Sequence, residues 1–379
     1  MQHAQEHDTG HRFSKGRQDP IALPPVRRSV FVNAWVGVDN SGDELIFERL
    51  RARLSDLGTT SVTVTSFNPR ETELLHGVKA VHPRHLVAIV RAIKHADLFV
   101  IGPGGLLQDS SSPWNLPYQL HRALIALVLR VPVLGMGLGA DPMTRCGSGL
   151  LLRLALGRSV AVAVRDDVSR MALDAHRVEA TTTADLAVGA APLATDPDGE
   201  AIVVSLRPRR RRGLLPVRWQ RHRLDDAQVE AAATVLDKLA VELKAPVRFV
   251  AFEPRTDQPL HEAVASRMTS PASCVTPSPG KLVAEMADAQ VVIATRYHAG
   301  ITALVAARPT VLIGYAPKVK SLAAATGMPL LADTDEALAA LADACETAQS
   351  LDSRPALAAL QAAEARNGEI IARALGRDA

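Results

Sequence analysis

From Ser29 to about residue 330, short apolar runs alternate with amphipathic stretches, and few folds tolerate that rhythm. Parallel strands cannot be joined by tight turns; each needs a crossover, normally a helix, so the alternation predicts βαβ units around parallel sheets. The first series of strands is expected at 29–36, 61–67, 97–102, 131–136 and 159–164, with helices at 43–57, 84–95, 117–130 and 147–156. Helix 43–57 brings Leu45, Phe47, Leu50, Leu54 and Leu57 near one face and leaves Glu48, Arg49, Arg51 and Arg53 outside.

A second series repeats the pattern, with strands at 201–206, 247–252, 290–295 and 310–315 and helices near 225–243, 258–268, 280–287 and 299–307. Between the two, residues 191–200 are rich in Pro, Asp and Gly and lose periodicity, as a linker does. The expected organisation is α/β: two doubly wound, Rossmann-like domains, 29–190 and 201–330, followed by C-terminal helices within 331–379. Residues 1–28 hold no apolar run and read as a disordered tail, not a signal peptide. Ligands of such folds sit at the carboxyl ends of the strands, in the cleft between domains.

Composition narrows the partners. Aromatics are 3% of the chain, so the core must be built mainly from Ala, Val, Leu and Ile. A net charge of +3 is too small to imply nucleic acid, and no aromatic-rich or helix-turn-helix element argues for it. The cysteines, Cys146, Cys274 and Cys345, are odd in number and lack metal-ligand spacing, so neither a disulfide framework nor a metal is expected, and a reducing cytoplasm fits. The most apolar stretch, 123–139, is interrupted by Arg130 and Pro132 and reads as a helix and a strand instead of a membrane span.

Chemistry-bearing residues gather where strands end. After the first strand, Gly37, Asn40, Gly42 and Asp43 form a turn into a helix, whose free N–H groups suit an anion or a sugar oxygen; Asn40 or Asp43 serves equally as a helix cap. This is not the G-x-G-x-x-G dinucleotide pattern. After the third strand, Gly102, Gly104 and Gly105 strip the cleft wall of side chains, and Asp109 follows. Gly135, Gly137 and Gly139 thin the fourth strand, for which close packing is an equal reason.

The fifth strand ends on Arg165, which can hold a carboxylate or phosphate, or pair with Asp166 or Asp167; Asp166 and Ser169 can cap the next helix. In the second half, Arg296 and His298 end one strand, and Lys318, with Lys320 as competitor, follows another. Histidine at such a junction is a proton-transfer candidate. Arg207, Arg209, Arg210, Arg211 and Arg212, with Trp219 beyond, form a basic loop suited to anionic lipid headgroups or a pyrophosphate-linked acceptor.

Together these segments resemble the polysaccharide pyruvyl transferase family. The resemblance rests on G-x-x-N-x-G-D (Gly37 to Asp43), D-x-x-x-x-G-x-G-G (Asp97 to Gly105), R-D-x-x-S (Arg165 to Ser169), S-L-R (Ser205 to Arg207), R-x-H (Arg296 to His298) and P-K-V (Pro317 to Val319). It is tightest to the bacterial branch that pyruvylates cell-wall polymers. It implies a GT-B-like arrangement, no cofactor or catalytic metal, and phosphoenolpyruvate as co-substrate. It implies a ketal formed on a sugar of a cell-envelope or exopolysaccharide precursor, free or lipid-linked. It carries Arg165, His298 and Lys318 over as the donor-site triad, with Asn40, Gly42, Asp43, Gly104, Gly105, Asp109, Arg207 and Arg296 as substrate-binding residues. Asp109 or Asp43 is then the candidate base toward the acceptor. The run Arg209 to Arg212 and the bulky Tyr297 depart from the usual form.

The expected enzyme is cytoplasmic, with peripheral contact at the inner membrane face through Arg209 to Arg212. Two other readings compete. A GT-B glycosyltransferase would need an acidic ribose-binding residue, for which Glu253 or Asp257 is available. A non-enzymatic, membrane-associated binding protein would need only the arginine loop.

Overall fold

The computed structural model describes residues 28–110, 112–191, 199–209 and 224–376. The expected tail up to residue 27, most of the expected linker, and Arg210, Arg211, Arg212 and Trp219 lie outside the described residues.

The first sheet comprises β1 (Ser29–Val36), β2 (Ser61–Ser66), β3 (Lys79–Val81), β4 (Leu98–Ile101), β5 (Gly104–Leu107), β6 (Val133–Ala140), β7 (Ala161–Val164) and β8 (Thr181–Thr182). Its crossovers include α1 (Ser41–Asp56), α2 (Pro69–His76), α3 (Leu86–Lys94), α4 (Asn115–Val128), α5 (Ser148–Leu156) and α6 (Asp167–Asp174). The strand order is β3-β2-β1-β4-β6-β7-β8, with β5 against β6, and the pairings are parallel.

The second sheet runs β11-β10-β9-β12-β13-β14. Its strands are β9 (Ala201–Ser205), β10 (Val247–Val250), β11 (Ala272–Val275), β12 (Ala289–Ala294), β13 (Thr310–Gly314) and β14 (Leu330–Ala332). The helices are α7 (Asp226–Leu243), α8 (Pro254–Ala265), α9 (Leu282–Ala287), α10 (Tyr297–Val305), α11 (Pro317–Thr326), α12 (Asp335–Leu338), α13 (Leu341–Ser350) and α14 (Arg354–Ala374). Both sheets reverse strand order beside their first strand, and the two switch points, β1/β4 and β9/β12, are where a doubly wound sheet opens a crevice. Among the described residues no helix is long and apolar enough to cross a membrane.

Strand periodicity sorts the core. Val30 and Val32 face one way, onto α1, whereas Phe31 between them faces α3 and α4 on the other side. In the second sheet Ile202 and Val204 pack outward under α7, and Val203 packs inward. The inward faces of both sheets share one apolar cluster, joined through α1, the 3₁₀ turn Leu186–Gly189, α10 and α14. The C-terminal helices divide between the domains. Leu341, Cys345 and Ala348 of α13 pack on the second sheet, while Leu357, Ile370 and Ile371 of α14 join the shared cluster. Asn367 donates to the Ala184 carbonyl at 3.1 Å, and Glu364 pairs with Arg53 at 2.5 Å.

The glycine segment after the strand at 98–101 is not only a turn: Gly104–Leu107 forms β5, paired with the end of β6. A Cβ on Gly102 would meet the Met136 carbonyl oxygen at 2.2 Å, so close backbone approach between strands explains that glycine. The short strands β3 and β14 have too few residues for alternation to announce them.

Candidate active site

A cleft of about 1180 Å³ opens between the carboxyl ends of the two sheets. The first domain contributes α1. Asn40 is its cap, the side chain accepting from Gly42 N at 3.1 Å and Asp43 N at 3.3 Å, which resolves the choice between Asn40 and Asp43. The cap also bridges the domains: Asn40 Nδ2 donates to Glu253 Oε1 at 3.1 Å, and Ser41 N donates to the Phe252 carbonyl at 2.8 Å. Gly42 does not line the cleft. A Cβ there would stand 2.2 Å from His298 Nδ1, so Gly42 is the gap into which the other domain's histidine ring fits.

His298 is buried, and its Nε2 has no hydrogen-bond partner. That nitrogen lies 3.7 Å from Asp185 Oδ2, and Arg165 Nη1 lies 3.5 Å from the same oxygen. Asp185 is itself fixed by accepting from Ala187 N at 3.0 Å. Burial pushes the Asp185 carboxyl up, but the facing His298, Arg165 and the Ala187 N–H outweigh it and hold it below its ordinary value. Asp185 thus faces two of the three residues that the resemblance marks as a donor-site triad, and no sequence pattern singles it out.

Arg165 leaves β7 and is almost wholly buried, yet its nearest carboxylates, Asp166 facing Nε and Asp185 facing Nη1, both stand 3.5 Å away, and Nε makes no hydrogen bond among the described residues. Burial works against the charge; Tyr297, Asp185, Asp166 and Asp43 outweigh it, so the guanidinium stays charged. Gly139 makes its room, since a Cβ there would lie 2.6 Å from Arg165 Nη2. Asp166 caps α6, accepting from Ser169 N at 2.7 Å; Ser169 is not a cap, and its hydroxyl accepts from Ala140 N at 2.9 Å.

The cations and aromatic rings alternate along the cleft. The Tyr297 ring lies 4.5 Å from the Arg165 guanidinium and 5.7 Å from Lys318 Nζ. The Tyr315 ring lies 5.9 Å from that same ammonium and 4.0 Å from the Arg207 guanidinium. Each ring face attracts the cations beside it and spaces them apart, so like charges share one wall. The bulky Tyr297 therefore belongs to the site. Burial pushes the Tyr297 phenol above its ordinary range, leaving it a neutral hydroxyl. Asp43 lies in the field of His298, Lys318 and Arg165, but burial dominates and raises its pKa above the usual carboxylate value.

Several expected ligand contacts are corrected. Asp109 is fully buried, accepting from Thr144 N and Oγ1, Arg145 N and Ser148 Oγ at 2.8–3.0 Å. Burial acts upward, yet those donors lower its pKa to about 2; with its oxygens occupied, Asp109 is a loop anchor and not a base. Gly105 lines the cleft, but Gly104 faces Asp43 instead.

Arg296 borders the cleft with its charge already matched: Nη1 pairs with Glu253 at 2.8 Å, Nη2 with Asp257, and Nη2 also donates to Thr256 Oγ1 at 3.0 Å. Asp257 is fully buried and accepts from Phe252 N and Glu253 N, and Glu253 is held by Asn40, Thr256 and Arg296. Both carboxylates are thus engaged by Arg296. Arg209 is tied to Asp333 at 2.7 Å and Asp335 at 2.6 Å, so it does not present itself to a membrane.

The fold has solved counterparts at low identity. The UDP-GlcNAc 2-epimerase of Neisseria meningitidis, bound to UDP-GlcNAc, superposes with TM-score 0.60 at 13% identity, over 91% of this chain and 100% of that one. The UDP-GlcNAc 2-epimerase of Methanocaldococcus jannaschii gives TM-score 0.61 at 12% identity, over 92% and 99%. MurG of Acinetobacter baumannii gives 0.53 at 12%, over 92% and 99%. These likenesses concern the paired Rossmann-like domains of the GT-B arrangement. No curated protein matches the chain by sequence. The model of one family does, over residues 40–317, from the cap of α1 through both sheets to the first residue of α11: the chain belongs to the polysaccharide pyruvyl transferase family.

Proposed function

We propose that the protein is a phosphoenolpyruvate-dependent transferase that forms a pyruvate ketal on a sugar of a cell-envelope or exopolysaccharide precursor and releases phosphate. One observation carries the reading: Arg165, Lys318 and Arg207 stand in a single wall, separated by Tyr297 and Tyr315. Phosphoenolpyruvate bears a carboxylate and a phosphate, about three negative charges together. A row of spaced cations suits so compact an anion.

In this reading Arg165 and Lys318 hold the donor. His298, set between Asp185 and α1, delivers a proton to the methylene carbon. C2 then accepts one sugar oxygen, a second sugar oxygen displaces phosphate, and the two hydroxyl protons leave with base and phosphate. Proton transfer of this kind contributes roughly 10²–10⁴-fold in rate. The nucleotide-sugar alternative lacks support, because Glu253 and Asp257 are both engaged by Arg296.

Thermal denaturation with phosphoenolpyruvate, UDP and UDP-glucose tests the donor. At ~100 times its dissociation constant, phosphoenolpyruvate adds about 2.7 kcal/mol of stability, and the nucleotides add none. His298→Ala keeps that stabilisation while phosphate release with an acceptor falls by at least about tenfold. Stabilisation by UDP-glucose and not by phosphoenolpyruvate would replace the reading with that of a glycosyltransferase.

A further inference from the structure

Another part of the cleft lining has different chemistry. It is built from Trp35 on β1, Asn115 and Gln119 on α4, and Asp141 just beyond β6, all lining the cleft. None is cationic. Gln119 is 3% exposed and lines the cleft. A side-chain amide at the cleft surface can donate to and accept from a ligand. Asp141 carries no ion pair among the described residues; of the other carboxylates that line the cleft, Glu253 is tied to Arg296 and Asp333 to Arg209, while Asp43 lies in the field of His298, Lys318 and Arg165, on the donor side.

The wall is braced from behind. Buried Arg122 donates to Asn33 Oδ1 at 3.1 Å, to the Tyr118 carbonyl at 3.3 Å and to the Pro83 carbonyl at 3.3 Å, with no carboxylate partner among the described residues. Asn33 Nδ2 in turn donates to the Gln119 carbonyl at 3.2 Å, fixing α4 against β1. Trp35 packs edge-on to Phe67 at 4.9 Å, and Phe67 stacks near Tyr118 at 6.5 Å. In a chain with 3% aromatics, this concentration beside one wall is the unusual feature.

We infer that this wall is the acceptor subsite, taking an uncharged pyranose ring against Trp35, its hydroxyls read by Gln119 and by Asn115 Oδ1, since Asn115 Nδ2 already donates to the Leu106 and Gln108 carbonyls, with Asp141 as the base for the attacking hydroxyl. The inference rests on the donor reading above and adds the residues that hold the acceptor and the base. Aromatic faces pack on the C–H face of a sugar, and amides donate and accept to its hydroxyls. As the sugar oxygen bonds to C2 of phosphoenolpyruvate, its proton passes to Asp141. The electrons of the C2–C3 double bond take up the proton delivered at C3. Asp141 thus replaces Asp109 in the role of base.

The experiment pairs saturation-transfer NMR with phosphate-release kinetics, using methyl glucoside, galactoside and mannoside in the presence of phosphoenolpyruvate. Ring protons of at least one glycoside should be saturated by the wild type. Trp35→Ala and Gln119→Ala should weaken that binding by roughly tenfold, and Trp35→Phe should restore most of it. Asp141→Asn should lower kcat by about a hundredfold with glycoside binding and phosphoenolpyruvate stabilisation unchanged. Absence of glycoside saturation in protein that phosphoenolpyruvate stabilises, or equal binding and turnover in all variants, overturns the acceptor assignment and leaves the donor reading standing. Absence of phosphoenolpyruvate stabilisation in the wild type overturns the donor reading, and the assignment with it.

Discussion

Arg165 and Arg296 occupy matching places, each just past the carboxyl end of a strand and each facing the cleft, yet they are opposites electrostatically. Arg296 is saturated by Glu253, Asp257 and Thr256. Among the described residues, Arg165 has no carboxylate closer than 3.5 Å, and its Nε faces Asp166 at that distance without a hydrogen bond. A buried arginine whose partners are in place holds structure together, here the start of α10 that carries His298. One whose partners stand back has capacity left for an incoming anion. Charge at the cleft edge is therefore a poor guide to function until the neighbouring carboxylates are known.

The comparison breaks most directly through stability. Removing one member of a buried, hydrogen-bonded pair leaves the other uncompensated, so Asp257→Ala should cost about 3–5 kcal/mol in urea denaturation. Arg165→Ala should cost clearly less. Equal losses would mean that both arginines are structural.

Donor affinity sharpens it next. Arg165→Ala should weaken phosphoenolpyruvate binding by about 1.5–3 kcal/mol, the worth of charged hydrogen bonds. Arg296→Lys, which keeps the charge near Glu253 and Asp257, should change donor affinity far less. Calorimetric titration of both variants decides, and a larger loss in Arg296→Lys would reverse the assignment.

The smallest effect lies in the two aspartates shifted in opposite directions. Asp109 is lowered from 3.8 to about 2, so its folded form releases the proton more readily, and its stabilisation is present above pH 3.8 and lost as pH falls through about 2. Asp43 is raised, so its contribution is present below pH 3.8 and lost as pH rises through the folded value. Asp109→Asn should lower stability at neutral pH and flatten the acid limb, whereas Asp43→Asn should raise it. Denaturation midpoints from pH 2 to 7 check both, and parallel curves for the two variants would show that neither shift is as described.

Much of this was legible in the residues. Alternating runs placed the longer strands of both sheets to within a few residues, because Val30, Phe31 and Val32 must point to alternate faces and the helices between must carry one apolar stripe, whereas the short β3, β5, β8, β11 and β14 went unannounced. The resemblance brought Arg165, His298 and Lys318 together, and the fold gathers them around one cleft. Asp109 misled because a carboxylate after a glycine-rich segment looks the same in sequence whether its oxygens face a ligand or four local donors. Gly42 and Gly139 misled less: their smallness was plain, but what filled the space was not, since His298 and Arg165 arrive from distant positions.

The sequence by itself determined the fold class and the identity of the cations, because periodicity and side-chain chemistry are local properties of the chain. The tertiary structure alone decided which charges are spent and which are available. Ion pairing joins residues such as Arg296 and Asp257, or Arg165 and Asp185, that only packing brings within reach, and a separation of about an ångström distinguishes a satisfied arginine from a waiting one.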